Sequence, residues 1–394
     1  MSPALVWKPS ATIVTDGDPG SDGVTAMQFS ADGRFLAVGS GCSVEIWDVR
    51  EDIITNSFHV GGATTSVRCL QWFRHCYALV TGHDDGGMYS TTLLATGPSL
   101  SGFRADGHHS TIKAISLWED VVLAAATSRS VQIWELINNQ TWTMRGTLPA
   151  SPAIGPSTPT PEQVSQSIHW LSGQEVLVSY EGLSVARFGI RCYGPLEAEL
   201  LGVHRMAGLV NDICLPTKNI LVCDSVLNQY QLYSWADLRT TQLSPLPASF
   251  VPRSRQFNRA LPVSKAVFCT EDTVVGGSGG KCLLWDLSGR RLADLTCPEY
   301  GDRTISSVSC AYDYSLDKPR LATAIDGGRN NTIILWETVE DKEDIVHEDA
   351  IGPAADHTTP SPVDIRQNWR HLNREQFSLV ILVVSIIFYV LMSM

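Results

Sequence analysis

Residues Val24 to Val49 read VTAMQFSADGRFLAVGSGCSVEIWDV. An alternating apolar run is followed by a polar Ser-Ala-Asp-Gly turn, then by the run FLAVGS, a short turn, and a third run that ends in Trp-Asp. Period-two alternation places successive side chains on opposite faces of an extended strand, and Gly-containing turns of this length join antiparallel neighbours. The stretch therefore predicts three consecutive strands of one small antiparallel sheet.

The same ending recurs as Ile133-Trp134-Glu135, Leu284-Trp285-Asp286 and Leu335-Trp336-Glu337. Between these, the same strand-turn-strand grammar places Thr91 after ALVTGHDDGGMYS, Phe188 after VLVSYEGLSVAR and Tyr233 after LVCDSVLNQYQL. The seven endings at 47, 91, 134, 188, 233, 285 and 336 are spaced by 43 to 54 residues. The longer gaps hold insertions, the Pro-rich SPAIGPSTPTPE (151–162) and SPLPASFVPRSRQFNRA (244–260). A fixed period of this size is the mark of stacked repeats, and four strands per repeat point to an all-β, seven-bladed propeller over residues 1–340. Each blade needs an outer fourth strand. The segment around Ala4 to Val14 is expected to supply it for the last blade and so to close the ring, since the alternative, Thr338 to Val346, is acidic and suits a strand less well.

Blade one resembles the WD-repeat family at Phe29-Ser30-Ala31-Asp32-Gly33-Arg34 and at Ile46-Trp47-Asp48. The resemblance implies a non-enzymatic scaffold that binds proteins. It also implies a hydrogen-bonded structural set of His, Ser or Thr, Asp and Trp in many blades. On that basis the structural blade positions are Trp47, Asp48, Asp85, His108, Trp134, Trp285, Asp286 and Trp336, whereas blades one and six carry Gly41 and Gly279 at the tight turn.

The chain ends in FSLVILVVSIIFYVLMSM (377–394), an uncharged run that as a helix is roughly 27 Å long, near the apolar thickness of a thin bilayer. Arg366, Arg370 and Arg374 precede it and no charge follows, so a spanning helix would keep the body on the positive, cytosolic side. Met1 to Thr12 lacks a basic head and apolar core, which leads us to expect insertion by the tail alone, into the endoplasmic reticulum or a membrane derived from it. Residues 341–376 form an acidic, Pro-containing linker with a basic end. There Ile365, Trp369 and Leu372 share a helical face, which would set Trp369 at headgroup depth.

A net charge of −12 argues against a nucleic-acid surface. The ten cysteines form no C-x-x-C pair and no zinc spacing, so most are expected to be buried thiols. Candidate chemistry is sparse. Gly276-Gly277-Ser278-Gly279-Gly280-Lys281 has Val275 and Cys282 where a phosphate loop needs Gly and Ser or Thr. Asp16, Asp18 and Asp22 begin like a calcium loop, but position 27 is Met. His83, Asp84 and Asp85, and the pair His108-His109, sit in turns without an oriented nucleophile. The chain is therefore expected to have no catalytic residues, no cofactor, no metal and no small-molecule substrate. The insertions remain as surfaces: Ser151-Pro152, Thr158-Pro159 and Thr160-Pro161 for proline-directed phosphates, and Arg253, Arg255 and Arg259 as a basic loop for an acidic partner or lipid headgroups.

A cytosolic propeller followed by one C-terminal span also resembles the endoplasmic-reticulum exchange factors for the Sar GTPase, the prolactin regulatory element-binding family of animals. That resemblance implies guanine nucleotide exchange as an alternative function. The family ties exchange to a long potassium-binding loop in blade one, where this sequence has only Gly39-Ser40-Gly41-Cys42.

Overall fold

In the computed structural model, the described residues are 5–15, 23–49, 55–60, 65–94, 97–104, 110–127, 129–137, 141–149, 164–180, 184–191, 196–206, 208–224, 229–234, 245–250, 266–278, 281–296, 298–300, 303, 305–313, 316–325 and 331–340. They form seven four-stranded antiparallel sheets, each a blade. The first strands are Val24–Phe29, Val67–Trp72, Ile112–Trp118, Ser165–Ser172, Leu209–Cys214, Ala266–Phe268 and Ile305–Asp313. These strands touch one another in order, and the last touches the first, so they form the inner wall of a closed ring.

All seven expected endings lie on the third strand of their blade, at one register. Trp47, Thr91, Trp134, Phe188, Tyr233, Trp285 and Trp336 face Leu36, Leu79, Leu123, Val176, Ile220, Val274 and Leu321 of the second strands. Those seven aliphatic partners are fully buried. The core is divided in the same way, into seven clusters that each fill one blade-to-blade junction. Phe188, Tyr233, Trp285 and Trp336 each pack toward the preceding blade. Any side chain that fills that gap serves, which is why Phe and Tyr replace Trp. Burial of one such aromatic is worth about 3 to 5 kcal/mol on truncation to Ala.

The N-terminal strand Leu5–Thr15 is the outer strand of blade seven, paired antiparallel with Asn331–Glu340 from Leu5↔Glu340 to Thr15↔Asn331. The pairing shifts register between Pro9 and Ala11, where proline offers no amide hydrogen to the ladder. Ile13 adds to the junction between blades seven and one. The ring thus closes by joining its two ends within one sheet.

Two sequence features acquire structural causes. Gly276 and Gly277 belong to the strand Thr273–Ser278, and a Cβ at Gly276 would meet the Tyr230 ring at 2.8 Å, so the glycine admits that tyrosine. Cys269 and Cys310, on blades six and seven, are joined by a disulfide, while Cys69, Cys214, Cys223 and Cys282 are buried and outside any disulfide. Asp16, Asp18, Asp22, His108, His109, Arg253, Arg255, Arg259, the Ser/Thr-Pro loop, and Arg366, Trp369, Arg370, Arg374 with the whole apolar tail lie outside the described residues.

Candidate functional site

Seven of the expected blade positions lie among the described residues, and their contacts are within the blades and their junctions. The Trp336 indole donates to Thr323 Oγ1 at 3.0 Å. Asp48 pairs with Arg34 at 2.9 Å across the base of blade one. Asp286 accepts hydrogens from the Ser288 hydroxyl and from the Ser288 and Arg290 amides and so holds its own turn, and the Ser288 hydroxyl, then the Arg290 amide, pulls its carboxyl below the usual range. Asp85 accepts from the Gly87 amide at 2.9 Å. Trp47, Trp134 and Trp285 pack in the junctions of blades seven and one, two and three, and five and six.

A cavity of about 360 Å3 opens instead where the first strands end, at one mouth of the central channel. Its wall includes Trp72, Phe73, Trp118, Trp170 and His169, with Arg74, Glu119 and Asp120 as its charged members. The indoles are fixed by neighbouring blades: Trp72 donates to the Gln28 carbonyl at 2.9 Å and Trp170 to the Ser116 carbonyl at 3.0 Å. Trp118 and Trp170 lie 6.4 Å apart, tilted by 46°. Gly173 lets Trp118 close over it, since a Cβ there would stand 2.8 Å from the indole nitrogen.

The turns around this mouth are laced together. Tyr77 donates to Asp32 at 2.7 Å, joining the turns of blades two and one. Both carboxylate oxygens of Asp120 accept backbone hydrogens, from Arg74 at 2.6 Å and His75 at 2.7 Å, joining blades three and two. Glu119 and Asp120 themselves adopt positive φ of 47° and 58° in a turn closed by Val121 donating to the Trp118 carbonyl. Two consecutive left-handed non-glycine residues are costly, and the lacing holds them.

One circle of side chains lines the inner wall. The first-strand residues level with the buried second-strand aliphatics are Phe29, Trp72, Leu117, Trp170, Ile213, Phe268 and Cys310. The residue just before each is Gln28, Gln71, Ser116, His169, Asp212, Val267 and Ser309. Four of these latch the next blade by accepting its backbone hydrogen: Gln28 from Trp72 at 3.1 Å, Ser116 from Trp170 at 3.4 Å, Asp212 from Phe268 at 2.8 Å and Ser309 from Phe29 at 3.0 Å. Burial pushes the Asp212 carboxyl up to about 6, against the pull of the amides of Phe268 and Ile213. Burial lowers the His169 ring to about 4, opposed by a hydrogen bond to the Val210 backbone.

The sequence reading missed this circle and the mouth. The signal was present, in every blade but the sixth, as a polar residue immediately before the apolar residue level with the buried second-strand aliphatic, but it emerges only once the blades are aligned by register.

A closed ring of seven four-stranded blades with a laced channel mouth defines a seven-bladed β-propeller. Residues 8–48 match the family model described as "WD domain, G-beta repeat", so the chain carries a recognisable WD repeat in its first blade. The chain is similar to the crystal structure of the Myceliophteria thermophila Cps50 (Swd1) β-propeller domain, with 16% identity over 84% of this chain and 99% of that one, at a TM-score of 0.64. That likeness speaks to the fold. No curated protein matches the chain.

Proposed function

We propose that this WD-repeat propeller is a scaffold that gathers protein partners at the cytosolic face of an endomembrane, with residues 377–394 as its anchor. The observation that carries the binding half is the laced mouth. Asp32–Tyr77 and Asp120 with the amides of Arg74 and His75 fix a mixed aromatic and polar surface in advance, so a partner pays little ordering entropy there. Among the described residues no group of three metal-ligating side chains occurs. The anchor half rests on the uncharged run Phe377 to Met394 and the arginines 366, 370 and 374 before it. No described helix is long and apolar enough to cross a membrane, and the run itself lies outside the described residues.

The exchange-factor reading gains no comparable support, because the blade-one hairpin between Phe35–Ser40 and Ser43–Asp48 closes on Gly41 and Cys42 alone. The test of the scaffold is proximity labelling and organelle fractionation of the full chain beside a chain ending at Gln376. The account expects truncation to release the body from membranes and to remove a set of membrane-surface neighbours. Identical fractionation and identical neighbours would contradict the tether.

A further inference from the structure

The blade-four to blade-five junction is one of three in which the circle residue makes no such latch among the described residues, and there the residue is a histidine. By position, His169 would accept the Ile213 amide hydrogen, as Gln28, Ser116, Asp212 and Ser309 do for their neighbours. That hydrogen is taken instead by Asp212 Oδ1 at 2.8 Å. The His169 ring bonds the Val210 backbone through one nitrogen, while Nε2 is buried without a partner. A neutral imidazole that donates from one nitrogen has an acceptor lone pair on the other. A buried polar atom left in this state costs about 1 to 3 kcal/mol, which a ligand able to donate a hydrogen would recover.

The surroundings narrow the donor. His169 lines the cavity with Trp118 and Trp170, whose faces suit a cation. The charged lining, Glu119 and Asp120 against Arg74, leaves one negative charge in balance, within a protein of net charge −12. Glu119 is exposed, and the cavity holds far more than one water's share of about 30 Å3. We infer that the mouth receives a cationic N–H donor, an arginine or lysine side chain of a partner protein, with His169 Nε2 as its acceptor and Glu119 as its rim charge. This deepens the scaffold reading and rests on it for the partner's nature, although the subsite stands on its own geometry.

The test is a titration of the full chain in detergent with acetyl-Gly-Arg-Gly-amide, its lysine counterpart and its citrulline counterpart, which keeps the N–H groups and loses the charge. The expected result is saturable binding of at least one cationic peptide, at least tenfold weaker binding of citrulline, and at least a tenfold loss in His169→Phe. Glu119→Gln, at an exposed position that leaves the fold untouched, is expected to weaken binding several-fold. No saturable binding at millimolar peptide, equal binding of citrulline, or unchanged binding in both variants would overturn the inference. Membrane-dependent neighbours that persist in both variants would also overturn it while leaving the scaffold standing. Unchanged fractionation and unchanged neighbours in the chain ending at Gln376 would instead remove the tethered-scaffold reading.

Discussion

Two blade-to-blade junctions of this ring are built in opposite ways. Where blade seven meets blade one, several polar groups are paired across the junction. Ser309 takes the Phe29 amide hydrogen and Asn331 donates to Ser40 Oγ at 3.0 Å. Arg320, 5% exposed, pairs with the wholly buried Asp313 at 3.2 Å and donates to the Val49 carbonyl. Where blade four meets blade five, the latch is absent and a buried ring nitrogen is left over. The first junction must hold because the ring's two ends meet in its blade; the second is held by continuous chain, by the Val210 amide donating to Ser179 at 3.3 Å and by the apolar cluster around Tyr233 and Leu177. Polar pairing is thus denser at the closing junction, and the nitrogen left over at the other belongs to a residue that lines the mouth.

Breaking the seam should produce the largest effect. Arg320→Ala strands the Asp313 carboxylate without its counter-charge, and its stability in urea unfolding is expected to fall by about 3 to 5 kcal/mol. A change below 1 kcal/mol would mean that the seam is held by the sheet and the apolar cluster alone. The next contrast sets Ser309→Ala against His169→Phe. The first orphans the buried Phe29 amide and should cost about 1 to 3 kcal/mol. The second removes the unbonded Nε2 together with the ring's one hydrogen bond to the Val210 backbone, and with the aromatic volume kept it should cost less. Equal losses would show that His169 is as structural as the latches.

In the intact protein the smallest expected effect lies in pH dependence. His169 is lowered to about 4 from its ordinary 6.5, so between those values the unfolded chain binds the proton and the folded chain does not; stability from this group falls as pH drops. Asp212 is raised to about 6 from 3.8, so the folded chain holds the proton first and stability from this group rises as pH drops. The two nearly cancel in the intact protein. Relative to it, His169→Gln should gain stability and Asp212→Asn should lose it from pH 7 to about 4, each by about 2 to 3 kcal/mol. His83 and His204, also lowered by burial, are common to all three chains and drop out of the differences. Parallel curves would place the shifts elsewhere.

The fold was legible because the propeller repeats its needs. Ile46-Trp47-Asp48 and three relatives marked one register, and Thr91, Phe188 and Tyr233 could be placed at the same register by strand grammar alone. The N-terminal strand followed from counting strands after Trp336. The site was not legible, since a polar residue before a strand end, such as Gln28 or His169, reads as the solvent face of an alternating strand. Its partner is an amide on another blade, 44 residues away for Gln28 and Trp72, and only ring closure brings the two together. The strain at Glu119 and Asp120 is likewise a property of the turn's backbone, set by blades it touches, and the residue types alone do not announce it.

The most direct measurement is the protonation and bonding state of the His169 ring, read by long-range nitrogen-15 NMR of the full chain labelled at histidine, with His169→Gln for assignment. The account predicts a neutral ring at pH 7 and at pH 5, one nitrogen protonated and Nε2 with the shift of an unbonded acceptor that moves when a cationic peptide is added. A ring that protonates near pH 6.5, or an Nε2 already hydrogen-bonded in the free protein, would contradict it.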